Sequence, residues 1–400
     1  MISNLNPGFA QLAPYPFERL TRLLTDVTPD SRHAPIPLSI GEPRHAPPDI
    51  VLRQYERSLL EGVTRYPTMR GTRELRLACA GWLQRRFDVN ADPDTMVHPV
   101  TGTREALFAI AQALVAPGTA QRVLFPNPFY QIYEGAALLA GAIPTYLPAT
   151  AQYNFLPDLD AIEPDILDQT QLFYLCSPVN PCGTVASLDY LSQLVTLAKR
   201  HDFVIVADEC YIELYRDAPP VSLLNACASL DDDAFSNVLA FHSLSKRSNL
   251  PGLRSGFVAG DPALIDYFAR YRTYHGCSMS LAVQHASITA WNDDAHVHRN
   301  REQYNEKYAM AIDVLGDVLD VTLPPATFYL WPDVGCDDEL FCQELYRDAH
   351  VTAVPGSYLA RDVDGNNPGA ARIRLSLVAS FDDTHTALQR LAHFIRHRSK

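Results

Sequence analysis

Between residues 97 and 260, short apolar runs alternate with stretches of helical periodicity, and this alternation limits the chain to few folds. The runs are 122–125, 143–146, 172–175, 203–207, 238–241 and 256–259, and helical patterns at 105–115, 130–140 and 188–200 separate several of them. A run that is apolar at every position suits a strand covered on both faces. Strand–helix–strand repetition then predicts a mostly parallel α/β sheet with right-handed crossovers. Sheets of this kind bind ligands beyond the carboxyl ends of their strands, so the turns after these runs are where chemistry is expected.

Past residue 260 the pattern changes. Helices are expected at 262–274, 281–291, 297–318, 339–347 and 384–396, with short strands at 321–323, 328–331, 351–354 and 373–377. Residues 1–45 are proline-rich, with one helical pattern at 17–24. The expected organisation is a large α/β domain over 46–290 and a smaller α+β domain built from 1–45 and 291–400.

Composition excludes several classes. A formal net charge of −13 argues against a nucleic-acid surface and against an anionic membrane. The eight cysteines form no CxxC pair and read as reduced thiols. The opening residues 1–7 show no basic segment followed by an apolar run, and no apolar stretch is long enough to span a bilayer. A cytoplasmic protein is expected. No metal site is expected: His296 and His298 sit at a charged helix start and read as solvent-facing.

The strand ends carry a distinctive polar set. Ser243, Ser245, Lys246 and Arg254 lie between the runs at 238–241 and 256–259. A lysine at a buried strand end loses solvation, and its amine becomes easier to deprotonate, as a Schiff-base lysine requires. The hydroxyls and Arg254 suit a phosphate. Taken alone, a solvated lysine in a basic loop is the plainer reading. Gly102, Thr103 and Arg104 form a glycine turn opening a helix, fit for a phosphate or merely a cap. Asn180 sits between two prolines, Asp208 ends a buried run, Tyr211 follows it by three residues, and Tyr130 follows the turn at 126–129. Together they form the kit for a flat, phosphorylated ring bearing an aldehyde, pyridoxal phosphate. Asp208 would keep the ring nitrogen protonated, Asn180 and Tyr211 would bond the ring oxygen, and Tyr130 would stack on the ring face. Lys246 would form the imine and then move the substrate's α-proton.

The ordered set Asn180-Pro181-x-Gly183, Asp208-x-x-Tyr211, Ser243-x-Ser245-Lys246 and Arg254 resembles the class I/II aminotransferases of fold type I over nearly the whole chain. The resemblance implies a large domain with a mostly parallel seven-stranded sheet, and Gly102, Thr103 and Arg104 as the phosphate turn. It also implies Tyr66 reaching the phosphate of a neighbouring subunit in a homodimer, Arg374 as the clamp on the substrate α-carboxylate, and Gly41 as a backbone donor beside it. The stretches 14–20, 39–43, 242–257 and 272–277 are similar to the proteobacterial succinyldiaminopimelate aminotransferases. That similarity implies amino transfer between glutamate/2-oxoglutarate and N-succinyl-2-amino-6-ketopimelate in lysine synthesis, with Arg44, Arg70, Arg104 and Arg272 as candidates for the distal carboxylates. Other class I/II aminotransferases, a carbon–sulfur β-lyase using the same lysine, and a non-catalytic regulator on this fold are the alternatives.

Overall fold

The computed structural model describes residues 6–398. Residues 1–5, where no leader is expected, lie outside the described residues. In chain order the first half comprises α1 (Pro16–Leu24), β1 (Ile36–Pro37), α2 (Asp49–Ser58), α3 (Arg73–Phe87), β2 (Val97–Val100), α4 (Thr103–Leu114), β3 (Arg122–Asn127), α5 (Ile132–Ala140), β4 (Ile143–Pro148), α6 (Pro164–Asp168), β5 (Thr170–Cys176) and α7 (Leu188–His201). The second half comprises β6 (Val204–Asp208), α8 (Leu223–Ser229), β7 (Val238–Ser243), α9 (Leu244–Arg247), β8 (Gly256–Gly260), α10 (Pro262–His275), α11 (Leu281–Asn292), α12 (Ala295–Leu315), β9 (Tyr329–Leu330), α13 (Asp338–Ala349), β10 (Val351–Thr352), β11 (Val354–Pro355), β12 (Ile373–Ser376) and α14 (Phe381–His397).

Seven strands form one sheet in the order β2-β8-β7-β6-β5-β3-β4. β8 runs antiparallel to both its neighbours, and the remaining pairs are parallel. Successive residues of each strand face opposite cores, as strand geometry requires. Phe173, Leu175, Ile205 and Ala207 pack with Leu83, Leu191 and Trp291 on one side. Leu172, Tyr174, Val204 and Val206 pack with Ile110, Tyr133 and Phe268 on the other. This two-sided burial is why the runs of the inner strands are apolar throughout; β4, at the sheet edge, is only partly buried.

A separate core joins Ile36 and Leu38 to Tyr308, Leu315, Phe341, Leu375 and Leu391. β1 pairs with β10, and β11-β12-β9 form a three-stranded antiparallel sheet. Two expectations fail here. Residues 321–323 form no strand, since Pro324 and Pro325 follow at once and bring a ladder to a stop. The single run 351–354 divides at Ala353 into β10 and β11, which join different sheets.

Candidate active site

The parallel strands deliver their polar ends to one cavity of about 520 Å³. Gly41, Thr103, Arg104, Tyr130, Asn180, Asp208, Tyr211, Ser243, Ser245, Lys246, Arg254 and Arg374 all line it. Gly102 lies at its edge as the N-cap of α4, with φ +86°. A Cβ there would collide with the Arg254 guanidinium. The glycine therefore allows both the turn and the close approach of that arginine. Tyr66 is the exception: it is fully exposed on the surface and touches no part of the cavity.

At one end, α4 begins at Gly102 with no side-chain cap on its first N–H groups, and the Arg254 guanidinium lies against that turn. The Ser243 hydroxyl accepts from Ser245 N at 3.1 Å. Helix N–H groups, two serines and an arginine are the donor set for a phosphate. At the other end Asp208, nearly buried, accepts from the Tyr133 hydroxyl at 2.9 Å and from Cys210 N at 3.3 Å. Burial raises its pKa in spite of those bonds. A cation placed against it would reverse that direction. The residues present thus fit a phosphorylated ring with a basic nitrogen.

Between these ends the Lys246 amine donates to the Gly41 carbonyl. Burial pushes its pKa down to about 8, with the Arg374 and Arg254 charges acting in the same sense. Arg374, on β12, is 4% exposed and pairs with no carboxylate among the described residues. It donates to Asn180 Oδ1 at 3.0 Å and to Ser39 O at 2.8 Å, its guanidinium lies 4.5 Å from the Tyr329 ring centroid, and its Nε has no partner. A buried guanidinium with an unused donor suits an incoming carboxylate.

Several lining residues were not singled out from sequence. Tyr329 meets Tyr211 hydroxyl to hydroxyl at 2.9 Å, and its phenol fills the space a Cβ on Gly41 would need. Tyr133, Tyr15, Phe17, Glu42, Cys176 and Cys210 also belong to the site. Tyr133 and Tyr329 lie in apolar stretches that read as core, and no spacing marks their hydroxyls. Of the arginines considered for distal carboxylates, only Arg104 lines the cavity. Arg272 is buried and bonded to Glu105 at 2.9 Å, Arg70 is paired with Asp266 at the surface, and Arg44 is exposed outside the cavity.

His296 also departs from expectation. It is buried, and it bonds Asp293 and Ser248, each at 2.8 Å, while His298 is exposed. Glu105, His275 and Cys277 bring potential metal-binding atoms within 4.8 Å of one another, but Thr101 and Arg272 already engage both Glu105 oxygens. A larger cleft of about 830 Å³ lies between α13, α14 and residues 30–33; its carboxylates Asp30, Glu344 and Asp348 are each paired with an arginine. Among the described residues no helix is long and apolar enough to cross a membrane.

A doubly covered sheet with a half-buried lysine, a buried aspartate and an unpaired buried arginine at the cavity defines a pyridoxal-phosphate enzyme of fold type I. The chain belongs to the family described as aminotransferase class I and II, whose model matches residues 34–394. An LL-diaminopimelate aminotransferase from Dehalococcoides mccartyi is 30% identical over 396 residues, 98% of each chain. Another from Desulforudis audaxviator is 32% identical over 352 residues, 86% of this chain and 88% of that one. Among solved structures, an aminotransferase from Neisseria meningitidis is 42% identical with a TM-score of 0.94, covering 98% of this chain and all (100%) of its own. Aminotransferase AspB from Helicobacter pylori is 35% identical with a TM-score of 0.90, covering 97% of this chain and 100% of its own.

Proposed function

We propose that the chain transfers an amino group between glutamate/2-oxoglutarate and N-succinyl-2-amino-6-ketopimelate, acting in diaminopimelate and lysine synthesis. The observation that carries the amino-transfer chemistry is the convergence of a lysine with a depressed pKa, a buried aspartate and an unpaired buried arginine in one cavity. When bound, pyridoxal phosphate serves as the electron sink for the bond broken at the substrate α-carbon.

The chain's own residues do the rest. Thr103, Arg104, Ser243, Ser245 and Arg254 hold the phosphate, with Gly102 opening the helix turn. Asp208, held by Tyr133, would keep the ring nitrogen charged, Tyr130 would cover a ring face, and Tyr211 and Asn180 would bond the ring oxygen. Arg374 clamps the substrate α-carboxylate beside Gly41, and Asn180 fixes the angle of that guanidinium. The Lys246 amine, partly neutral near physiological pH, would take up the substrate's α-proton. We assign residues 46–290 to the cofactor-binding domain and residues 1–45 and 291–400 to the domain that brings Arg374 to it. Tyr66 belongs to a neighbouring subunit's phosphate site in a homodimer, which accounts for its full exposure in the single chain.

The succinylated substrate rests on the loops at 14–20, 39–43, 242–257 and 272–277. A second reading, free LL-diaminopimelate as amino donor, has two supports. The curated relatives carry that name, and Glu42 places a carboxylate in the same cavity, where it would suit a free distal ammonium. Steady-state rates with both amino donors separate the two readings. The succinylated donor turning over faster supports the first; turnover of the free diamine alone supports the second.

A further inference from the structure

Behind Lys246 lies a buried polar chain that the cofactor contacts do not use. Lys307, on α12 and 2% exposed, donates to Leu377 O at 3.1 Å, to Ala379 O at 2.5 Å and to His45 Nε2 at 2.7 Å. The opposite ring nitrogen of His45 lies 2.9 Å from Asn300 Oδ1. The Asn300 amide nitrogen lies 3.2 Å from the Lys246 carbonyl and 3.4 Å from that of Arg247.

Donor–acceptor chemistry allows one assignment. Burial lowers the Lys307 pKa to about 8, so at neutral pH it is chiefly an ammonium with three donors and no acceptor, and His45 Nε2 accepts. The proton of a neutral His45 then sits on Nδ1 and is donated to Asn300 Oδ1. That oxygen also accepts from Asn249 at 2.9 Å, which leaves the Asn300 amide protons for the two backbone carbonyls. Both polar ends of Asn300 and all three protons of Lys307 are used. Burial pushes His45 down to about 4, which keeps it in this neutral form. Among the described residues no carboxylate pairs with Lys307, so backbone carbonyls and one imidazole are its compensation for burial.

The chain ends at both of the chemically important side chains. Leu377 and Ala379 directly follow the strand that carries Arg374. The backbone leading to His45 accepts from Ser376 N at Leu38, from Arg374 at Ser39 and from the Lys246 amine at Gly41. Lys246 is therefore gripped at its amine by this segment and at its carbonyl by Asn300.

We propose that Lys307, His45 and Asn300 act as positioning residues, forming a relay that sets the place of the Lys246 amine relative to the Arg374 guanidinium. The inference rests on the reading of Lys246 and Arg374 given above. Neither His45 nor Lys307 touches the substrate or cofactor cavity.

The test uses the cofactor-loaded enzyme and His45→Phe, Lys307→Met and Asn300→Asp. His45→Phe keeps a ring on Tyr304, whose centroid lies 4.3 Å from that of His45, and cuts both hydrogen bonds. Asn300→Asp preserves volume and acceptor but removes the donation to Lys246 O, and covers the case in which a larger change prevents folding. Lys307→Arg is the conservative rescue. Borohydride trapping followed by peptide mapping first asks whether cofactor is attached to Lys246; no adduct in the unmodified enzyme overturns the Lys246 reading itself. With the adduct present, folded variants are expected to keep it. Their visible absorbance should titrate with a midpoint moved by about one pH unit. Their kcat should fall about tenfold to a hundredfold while KM changes little, as a misplaced reacting group requires. The His45→Phe, Lys307→Met double variant should be no worse than the poorer single, and Lys307→Arg should restore part of kcat. Folded variants with the unmodified midpoint and kcat, or singles whose losses multiply in the double, would overturn the relay.

Discussion

Burial of Lys246 has a thermodynamic signature besides its chemical one. Its pKa falls from 10.5 to about 8. Below pH 8 both the folded and the unfolded chain carry the proton, and the folded state bears the desolvation cost, worth about 3 kcal/mol at about 1.4 kcal/mol per unit. Between pH 8 and 10.5 the folded protein has released a proton that the unfolded chain still binds, so stability rises with pH. Lys246→Met should therefore stabilise the cofactor-free protein at pH 7, and the gain should fade by pH 10.5; denaturant titrations at the two pH values check this, and an equal gain at both would contradict it. In the loaded enzyme Lys246→Ala should lower turnover by at least about 10²-fold through loss of the proton carrier alone. Lys246, Asp208 and Asn180 were legible in the sequence because a polar residue ending an apolar run is conspicuous. Tyr133 and Tyr329 were not, because a phenol in an apolar stretch looks like any core aromatic until its partner is known. His296 misled for the opposite reason: charged neighbours suggested solvent, while Ser248 and Asp293 hold it inside.

The elements of the site behave as their strand ends dictate. Apolar runs locate all six of the strands expected between 122 and 260; for the five inner ones two-sided burial leaves an unbroken signal, while β4, at the sheet edge, is only partly buried. The smaller strands carry less information: at two residues each, β10 and β11 cannot show a period, and only pairing with β1 and β12 separates them. The turn into α4 is the most demanding local geometry. Gly102→Ala would place a Cβ at φ +86° against the Arg254 guanidinium. A non-glycine residue strained at such a backbone costs about 1–3 kcal/mol, and its Cβ would displace the Arg254 guanidinium from the phosphate turn, so cofactor affinity should weaken about tenfold or more. Spectroscopic titration with pyridoxal phosphate measures it, with Gly252→Ala as the reference, since a Cβ there meets open space. Equal affinities in the two variants would contradict the assignment of this turn to the phosphate.

At the scale of the molecule, Tyr66 is an aromatic side chain left wholly exposed, as are most of Leu60, Val63 and Tyr274. If a neighbouring chain supplies Tyr66, Lys246→Ala and Tyr66→Ala subunits should complement each other. Random mixing gives hybrids with one intact site, so an equal mixture should recover about a quarter of wild-type activity. No recovery from subunits shown to exchange would contradict a shared site. The expectation of a shared site rests on family resemblance alone, since nothing in the local sequence around Tyr66 points to a second chain.

The chemistry of the whole assembly is tested most directly by the bound cofactor's absorbance. The enzyme is first treated with glutamate and then with a panel of keto acids. Glutamate should convert the cofactor to its amine form, and N-succinyl-2-amino-6-ketopimelate should reconvert it at least about tenfold faster than oxaloacetate or pyruvate. A spectrum unmoved by glutamate, in an enzyme that releases pyruvate from cysteine conjugates, would contradict it.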